Sequence, residues 1–285
     1  MLKKNNLSLV LLIFVVYVLM FFVSMLFVLF SVQQIVNNSI KQNITEKSNQ
    51  LCYMISEKAN DLIVDFENTL LLMRNKKYLN IDFITDVIKN YDWIDDIFII
   101  DKNGLVKLTS KKQSNLNYDF SKMTFFTETM KTGKKYISES FISNETYEPT
   151  VSISILIDDY IFVGLLSLKN LASQINKLSH NKAEVIGIID KNGYFIAHTD
   201  INFIYQRRNI LVNNLLKEAI KNNKKNIDYK NENGKDIVIS FSKVAQTEWY
   251  VVVLQEKENL FKPIKEIRVS FFAIILISLI LSIFF

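Results

Sequence analysis

The sequence of 285 residues has few of the residue types on which catalysis and metal binding depend. Its one cysteine, Cys52, excludes an intrachain disulfide, so stability must come from a hydrophobic core, in which Cys52 is predicted to be a small packing residue. The two histidines, His180 and His198, belong to no spaced ligand cluster, and no zinc site is predicted. Six glycines leave no phosphate-binding loop. Because no catalytic constellation is visible, we predict neither an enzyme nor a bound cofactor or metal.

Polar residues beside the predicted strands have structural explanations. His198 ends a strand-like segment and is predicted to be a structural hydrogen-bonding group rather than a base. The pairs Asp95-Asp96 and Asp158-Asp159 adjoin strands or turns, where solvent-exposed surface is expected. The formal net charge is +5, and the lysine doublets are scattered rather than gathered in a basic block. No nucleic-acid partner is therefore predicted.

An uncharged segment near the amino terminus, residues 7–30, is long enough to cross a hydrocarbon core of about 30 Å as a helix. A cleaved signal peptide would have a shorter apolar region followed by small residues, so an uncleaved anchor is predicted. Lys3 and Lys4 precede the segment, and no basic residue follows it before Lys41. The positive-inside rule then places the amino terminus in the cytoplasm and the following residues outside.

A second apolar run, residues 269–285, reaches the last residue of the sequence. It is marginal in length for a membrane span, but it is apolar on every face and follows a charged stretch, which favours a span over a buried core helix. Two spans would make a two-pass membrane protein, with residues 31–268 outside the cytoplasm and the second span truncated.

The region after the first span is predicted to be a long helix. Residues 31–73 contain no proline or glycine, and their apolar residues recur at spacings that alternate between seven and four. An α-helix can follow this eleven-residue period with almost no supercoiling. The resulting stripe is expected to pack on its own domain, on a second copy of the chain, or on both. It comprises Ile44, Leu51, Ile55, Leu62, Phe66 and Met73.

The phrase Ile-Ile-Asp-Lys-Asn-Gly occurs twice, at residues 99–104 and 188–193. Each copy lies between strand-like runs, and Asn-Gly is favoured in tight hairpins because both positions tolerate positive φ. A helix-like stretch and further strands follow each hairpin. We therefore predict two related modules of α+β architecture, each with an antiparallel sheet of about five strands. The alternative is that two ordinary hairpins share a turn by chance.

The predicted elements can be given by residue number. The first module is predicted to have a helix near 125–130 and strands at 93–100, 105–108, 136–141, 150–157 and 160–168. The second module is predicted to have a helix near 213–222 and strands at 185–189, 194–197, 225–229, 236–244 and 249–254.

Longer phrases carry a likeness to a known family. They are WIDDIFIIDKNG, TGKKYISESFISNETYEPTVSISILI, FVGLLSLKNL, IIDKNGYFIAHTD and TEWYVVVLQEKENLF. Through their order and spacing the chain resembles the double Cache family of extracytoplasmic sensor domains, in which two PAS-like sheets are stacked along a long membrane-rooted helix. The division that this implies is a cytoplasmic tail 1–6, a transmembrane helix 7–30, a long signalling helix 31–75, a membrane-distal module 76–170, a membrane-proximal module 171–268 and a truncated transmembrane helix 269–285.

The resemblance implies a function in sensing. Double Cache domains serve chemoreceptors, histidine kinases and diguanylate cyclases or phosphodiesterases. The chain is therefore expected to be the small-molecule sensing region of a bacterial transmembrane signalling receptor, which acts through ligand-induced helix movement in a homodimer. A membrane-anchored ligand-binding or structural protein without its own signalling output is the alternative.

The resemblance also implies a ligand pocket in the membrane-distal module. Family members that recognise amino acids carry an arginine, an aromatic pair, a tyrosine and two aspartates. The matching residues here are, in that order, Met123, Phe125 with Phe126, Phe141, and Ser143 with Lys169. The aromatic character is kept, whereas the charges that would hold a zwitterion are lost or reversed. An unpaired ion in a closed pocket costs several kcal/mol, so an α-amino acid held in the usual way is disfavoured.

We expect the ligand to be a small organic anion or a weakly polar molecule held by aromatic walls, with a lysine available for an anionic oxygen. The alternative is that the phenylalanines are core residues and the lysines point to water. The candidate site residues are Lys122, Met123, Phe125, Phe126, Tyr136, Phe141, Ser143 and Lys169.

Overall fold

The computed structural model describes residues 2–74, 80–110, 118–143, 146–178, 184–230 and 233–258, together with five residues between 269 and 277. By its contacts the chain divides into two compact units, one comprising Met1–Lys47 and Leu260–Phe285 and the other Ser48–Asn259. A long amino-terminal helix and two antiparallel sheets confirm the predicted α+β class.

Helix α1, Leu2–Leu72, contains neither proline nor glycine, the two residues that most often interrupt helices. In the described part of the chain, one stretch of helix is long and apolar enough to cross a membrane. It lies within Leu12–Leu72 of α1, and it has a mean hydropathy of 3.0 with none of its residues buried. The second predicted span, 269–285, lies for the most part outside the described residues.

Within the second unit, the predicted stripe of α1 packs on its own domain. Ile55, Phe66 and Met73 are buried and Leu51 and Leu62 are half-buried, all in a hydrophobic cluster shared with the two sheets. The side chain of Ile44 lies outside the described set. The sheets thus account for the apolar periodicity from Leu51 onward, without a second copy of the chain.

The first sheet has six strands in the order β2-β1-β6-β5-β3, with β4 also pairing with β5. Helix α2 precedes it and is capped by Asn80, whose Oδ1 accepts a hydrogen bond of 2.7 Å from the amide of Phe83. The elements are α2 (Ile81–Asn90), β1 (Ile94–Asp101), β2 (Val106–Thr109), α3 (Thr124–Thr132), β3 (Tyr136–Ile137), β4 (Phe141–Ile142), β5 (Pro149–Ile157) and β6 (Tyr160–Ser167). We call residues 80–167 the first module.

The second sheet has five strands in the equivalent order β8-β7-β11-β10-β9. Its elements are α4 (Leu168–Leu178), β7 (Glu184–Ile189), β8 (Phe195–His198), α5 (Asn202–Tyr205), a 3₁₀ turn (Ile210–Val212), α6 (Asn214–Lys221), β9 (Asn226–Lys230), β10 (Asp236–Lys243) and β11 (Tyr250–Glu256). We call residues 168–258 the second module. In both modules the last strand lies at the centre beside the first strand of the hairpin, which supports the predicted relation between them.

The repeated phrase folds into the same turn in both modules. Oδ1 of Asp101 accepts hydrogen bonds from the amides of Asn103 and Leu105, and Asp190 does the same for Asn192 and Tyr194. Gly104 and Gly193 have φ of 87° and 88°, a region that favours glycine. The asparagines are not among the described residues with positive φ, so the hairpin differs from the predicted Asn-Gly turn.

The two sequence predictions for residues 136–141 and Asp96 were wrong. The strand predicted at 136–141 is divided into β3 and β4, because the amide of Ser140 leaves the sheet and donates to Oδ2 of Asp190 at 3.0 Å. Asp96, predicted at the surface, is buried. Its carboxylate accepts hydrogen bonds from the amide of Ile97 at 2.7 Å and the hydroxyl of Thr109 at 3.1 Å, which replace solvent.

The two faces of the first sheet have different cores. On one face Phe66 of α1 packs against Gly164 in β6, where any larger residue would collide with its ring. On the other face α3 covers a separate cluster of large apolar side chains. This second face corresponds to the position of the predicted pocket.

Candidate functional site

The α3 face of the first sheet carries a set of apolar side chains that we call the aromatic cluster. Helix α3 starts after Met123, which gives no side-chain cap, and ends at Gly133, whose φ of 65° terminates the helix. The helix buries Phe125 and Phe126 against the sheet. The cluster comprises Phe98, Ile100, Val106, Phe125, Phe126, Ile161, Val163 and Leu165, with Tyr118, Phe120, Met123, Met130, Tyr136, Phe141 and Leu156 partly buried around them.

Ring contacts run through the centre of this cluster. The rings of Phe98 and Phe120 meet edge to face at 5.2 Å, and those of Phe120 and Phe125 at 5.6 Å. Phe141 extends the series, with its ring centroid 6.3 Å from that of Phe125. Edge-to-face pairs at these distances contribute about 0.5–1.5 kcal/mol each beyond their burial. A molecule that bound here would replace contacts that these aromatic rings now make with one another.

A few polar groups lie at the edge of the cluster. The hydroxyls of Thr129 and Ser154 are 2.6 Å apart, and Ser154 Oγ also donates to the carbonyl of Phe125 at 3.1 Å. The hydroxyl of Tyr136 donates to Glu139 at 3.2 Å. Burial, and then the carboxylate of Glu139, raises the pKa of Tyr136 to about 12, so this hydroxyl stays protonated at neutral pH.

Five of the eight predicted site residues lie together in the aromatic cluster. They are Met123, Phe125, Phe126, Tyr136 and Phe141.

The other three predicted site residues are placed differently. Lys122 is exposed; hydrogen bonds from Ser121 hold the pKa of Asp119 below its usual value, and the charge of Lys122 lowers it further. Lys169 is exposed in the first turn of α4, whose buried residues belong to the other cluster. Ser143 is buried in the turn between β4 and β5, where its amide donates to the carbonyl of Glu148 at 2.9 Å.

Contacts between the two modules converge on the segment between β3 and β4, and no pattern in the sequence indicates them. Asp190 of the second module accepts from the amide of Ser140, and Arg207 Nη2 donates to the carbonyl of Ser140 at 3.0 Å. Lys191 pairs with Glu139, which holds the pKa of that carboxyl below its usual value although burial raises it. This segment connects Tyr136 to Phe141, so the second module holds one wall of the aromatic cluster.

A cavity of about 210 Å³ adjoins these contacts. Its lining includes Lys135, Glu139 and Lys191, together with Gln246 and Trp249 from the turn before β11. The two lysines in its lining are already paired, Lys135 with Glu67 and Lys191 with Glu139.

Cys52 and His198 are structural, as predicted. Cys52 is buried, its Sγ donates to the carbonyl of Ser240 at 3.2 Å, and burial raises the pKa of its thiol to about 12. His198 stacks on Phe203 with ring centroids 4.1 Å apart, and its Nδ1 accepts from the amide of Asp200 at 2.9 Å. Burial lowers the pKa of His198. Among the residues that the structure describes, no group of three or more His, Cys, Asp or Glu is arranged to hold a metal ion.

Solved structures share this fold at low sequence identity. The extracellular domain of a proposed histidine kinase, rpHK1S-Z16, aligns with a TM-score of 0.66 and 13% identity, covering 78% of this chain and 98% of that domain. The ligand-binding domain of the Campylobacter jejuni chemoreceptor Tlp3 in complex with L-norvaline aligns with a TM-score of 0.60, 14% identity and coverage of 79% and 96%. The ligand-binding domain of the Pseudomonas aeruginosa PAO1 chemoreceptor PctB in complex with L-Arg aligns with a TM-score of 0.59 and 11% identity, covering 78% of this chain and 98% of that domain. These likenesses establish the fold.

The sequence itself carries the family assignment. No curated protein matches the chain. The Cache domain model dCache_1 matches residues 36–264, which include both sheets and the part of α1 that packs on them. Domains of this kind are extracytoplasmic, ligand-binding and non-catalytic sensor domains of membrane receptors. The chain belongs to the Cache domain family, in its double Cache form.

Proposed function

We propose that the chain is the small-molecule sensing region of a bacterial transmembrane signalling receptor, and that its ligand binds in the aromatic cluster of the first module. One observation carries this proposal: Met123, Phe125, Phe126, Tyr136 and Phe141 lie together on the α3 face. By the family resemblance, four of them, all but Tyr136, match positions at which amino-acid-binding members hold their ligands. Large aromatic side chains provide the apolar lining that small-molecule pockets use.

The charges around the cluster favour a weakly polar ligand over an α-amino acid. Tlp3 and PctB were each solved with an amino acid bound. Here Met123 replaces the arginine that would hold the carboxylate, and Ser143 and Lys169 replace the two aspartates. Because Lys122 and Lys169 are both exposed, neither is placed to neutralise an anion inside the cluster. Of the two expected ligand classes, the weakly polar molecule is the one that we retain.

The membrane topology and the oligomer are part of the same proposal. Residues 31–268 would lie outside the cytoplasm between two spans, and two copies would pair along α1 so that ligand-induced helix movement reaches the output. Protease added to intact cells should remove the bulk of the chain. Pairing is supported by Tyr53 and Met54, which are exposed on α1. Cysteines placed at the exposed positions Gln42 and Tyr53, with Cys52→Ser, should crosslink between copies in membranes.

A thermal-shift screen of the full chain in lipid nanodiscs tests the ligand site. The compounds are amino acids, carboxylates, amines, purines and uncharged small molecules. A compound that raises Tm for the unmodified chain should lose its effect in Phe125→Leu, which reshapes the cluster while keeping most of the apolar volume. Phe195→Leu is the matched control, since Phe195 is also buried but belongs to the second sheet. Equal loss in both variants, or no loss in either, would contradict the proposed site.

A further inference from the structure

One buried hydroxyl on the α3 face has no hydrogen-bond partner among the described residues. It is Oγ of Ser152 in β5, a residue with no exposed surface. The backbone of Ser152 is fully paired, since its amide donates to Ser138 Oγ at 2.9 Å and its carbonyl accepts from the amide of Ser138 at 2.9 Å. A buried polar group left unpaired costs about 1–3 kcal/mol, and such groups are rare in native proteins.

The register of the strands places this hydroxyl beside the aromatic cluster. Ser152 lies opposite Leu165 of β6, a member of the cluster. Two residues along the same face, Ser154 is bonded to Thr129 and to the carbonyl of Phe125. In the other direction, Thr150 donates to the carbonyl of Leu166 at 2.9 Å and lies opposite Phe141. The hydroxyls on either side of Ser152 are therefore paired, whereas Ser152 itself can still donate and accept.

The buried carboxylate on this face, that of Asp96, already accepts hydrogen bonds from the protein. Asp96 also lies opposite Leu165, on the strand that flanks it from the other side. Its carboxylate accepts from the amides of Ile97 and Ser110 and from the hydroxyls of Thr109 and Ser110. Three of these donors bond to Oδ1 alone and the hydroxyl of Thr109 reaches both oxygens, so a ligand ammonium would have to compete with donors of the protein itself. A ligand carboxylate would lie near this like charge, and the described members of the aromatic cluster include no lysine or arginine to pair with it.

We infer that Ser152 is the hydrogen-bonding anchor of the ligand site and that the ligand is uncharged, with an apolar body and one polar group such as an amide, alcohol or ketone. This inference rests on the proposed function, because it concerns the same site. The aromatic rings select the body by burial, and the hydroxyl selects the polar group. A charged analogue of the same shape is rejected because its desolvation is not compensated.

Matched compounds test the inference that the ligand is uncharged. Isovaleramide and isoamyl alcohol are uncharged, whereas isovalerate, isoamylamine and leucine carry the same branched body with an anion, a cation or both. Phenylacetamide, phenylacetate, phenethylamine and phenylalanine repeat the comparison with an aromatic body. Titration calorimetry with the full chain in nanodiscs should show binding of an uncharged member of at least one series, at least tenfold tighter than that of its charged counterparts.

Two serine variants test the anchor. Ser152→Ala should weaken binding of the uncharged compound roughly 2- to 10-fold, as expected for the loss of one neutral hydrogen bond. Ser240→Ala is the matched control: Ser240 is also fully buried with an unpartnered Oγ, but it lies in β10 of the second sheet. The affinity of the control should equal that of the unmodified chain.

Several results would overturn the inference. One is binding of a charged member as tight as that of the uncharged one, and another is binding of neither uncharged series. A third is an equal effect of Ser152→Ala and Ser240→Ala. Phe125→Leu separates this inference from the proposed function. If it weakens binding while Ser152→Ala does not, only the anchor is wrong, and if it leaves binding unchanged, the ligand lies outside the aromatic cluster.

Discussion

The contact between Phe66 and Gly164 leads to a double-substitution prediction on how α1 is held to the first sheet. A Cβ added to Gly164 would lie well under 3.0 Å from two ring atoms of Phe66. The ring cannot move aside easily, because it is fully buried between Tyr91 and Trp93, with centroids at 6.1 Å and 5.5 Å. Gly164→Ala should therefore destabilise the protein by about 1–3 kcal/mol, the usual cost of overpacking a core.

The cost of Gly164→Ala to stability changes when the ring of Phe66 is removed. Phe66→Ala alone should cost about 3–5 kcal/mol, since it empties a fully buried site. In that background, a methyl group at position 164 no longer collides and partly fills the cavity. Gly164→Ala should then cost nothing or stabilise slightly, because alanine is also entropically better than glycine in a strand. The two substitutions should thus show a coupling free energy of about 1–3 kcal/mol.

The assay is urea unfolding of the full chain in nanodiscs, followed by the fluorescence of its two tryptophans, Trp93 and Trp249. Gly187→Ala is the control, because its Cβ would lie 2.6 Å from the ring of Phe195 in the second sheet. Its cost should be the same with and without Phe66→Ala. Additive effects of Gly164→Ala and Phe66→Ala would refute the argument that this ring against this glycine fixes α1 on the first sheet.

Three further predictions concern other parts of the second unit. Arg207→Ala should speed hydrogen exchange in residues 138–142, since Arg207 donates to the carbonyl of Ser140. The control Arg208→Ala removes a stacking contact with Phe203 and should leave exchange in this segment unchanged. Equal exchange rates in the two variants would contradict this. Burial raises the pKa of Cys52 to about 12, so iodoacetamide at pH 8 should modify it only after denaturation, and rapid native labelling would contradict its burial. Burial lowers the pKa of His198 from 6.5, so the neutral ring stabilises the fold above about pH 6.5, and this stabilisation is lost as pH falls. His198→Asn should therefore reduce the loss of Tm between pH 7 and 5.5. An unchanged dependence of Tm on pH would contradict this.

Local features of the fold could be predicted from the sequence because short-range physics determines them. The absence of proline and glycine predicted α1, and the repeated Asp-Lys-Asn-Gly turn predicted both hairpins, since Asp101 and Asp190 bond to amides only two and four residues away. The grouping of Phe125, Phe126, Tyr136 and Phe141, which we propose as part of the ligand site, follows the sequence prediction. They lie on α3 and the neighbouring strands, where family position and apolar character indicate the same face.

Features that depend on distant residues could not be predicted. The strand expected at 136–141 is interrupted by Asp190, which lies fifty positions from its partner Ser140. The burial of Asp96 depends on Thr109 and Ser110, which the hairpin brings back to it. Lys169 was assigned to the site by its place at the end of a strand, but α4 begins at Leu168 and leaves the lysine exposed. No pattern in the sequence distinguishes Ser152 from its paired neighbours.

Hydrogen exchange of the full chain in nanodiscs, with and without the compound that gives the largest thermal shift, tests the central claim most directly. The account predicts slower exchange in α3 and in the segment from Tyr136 to Phe141, because these elements form the walls of the aromatic cluster. Protection confined to the second sheet, with α3 unchanged, would contradict the claim that the first module holds the ligand.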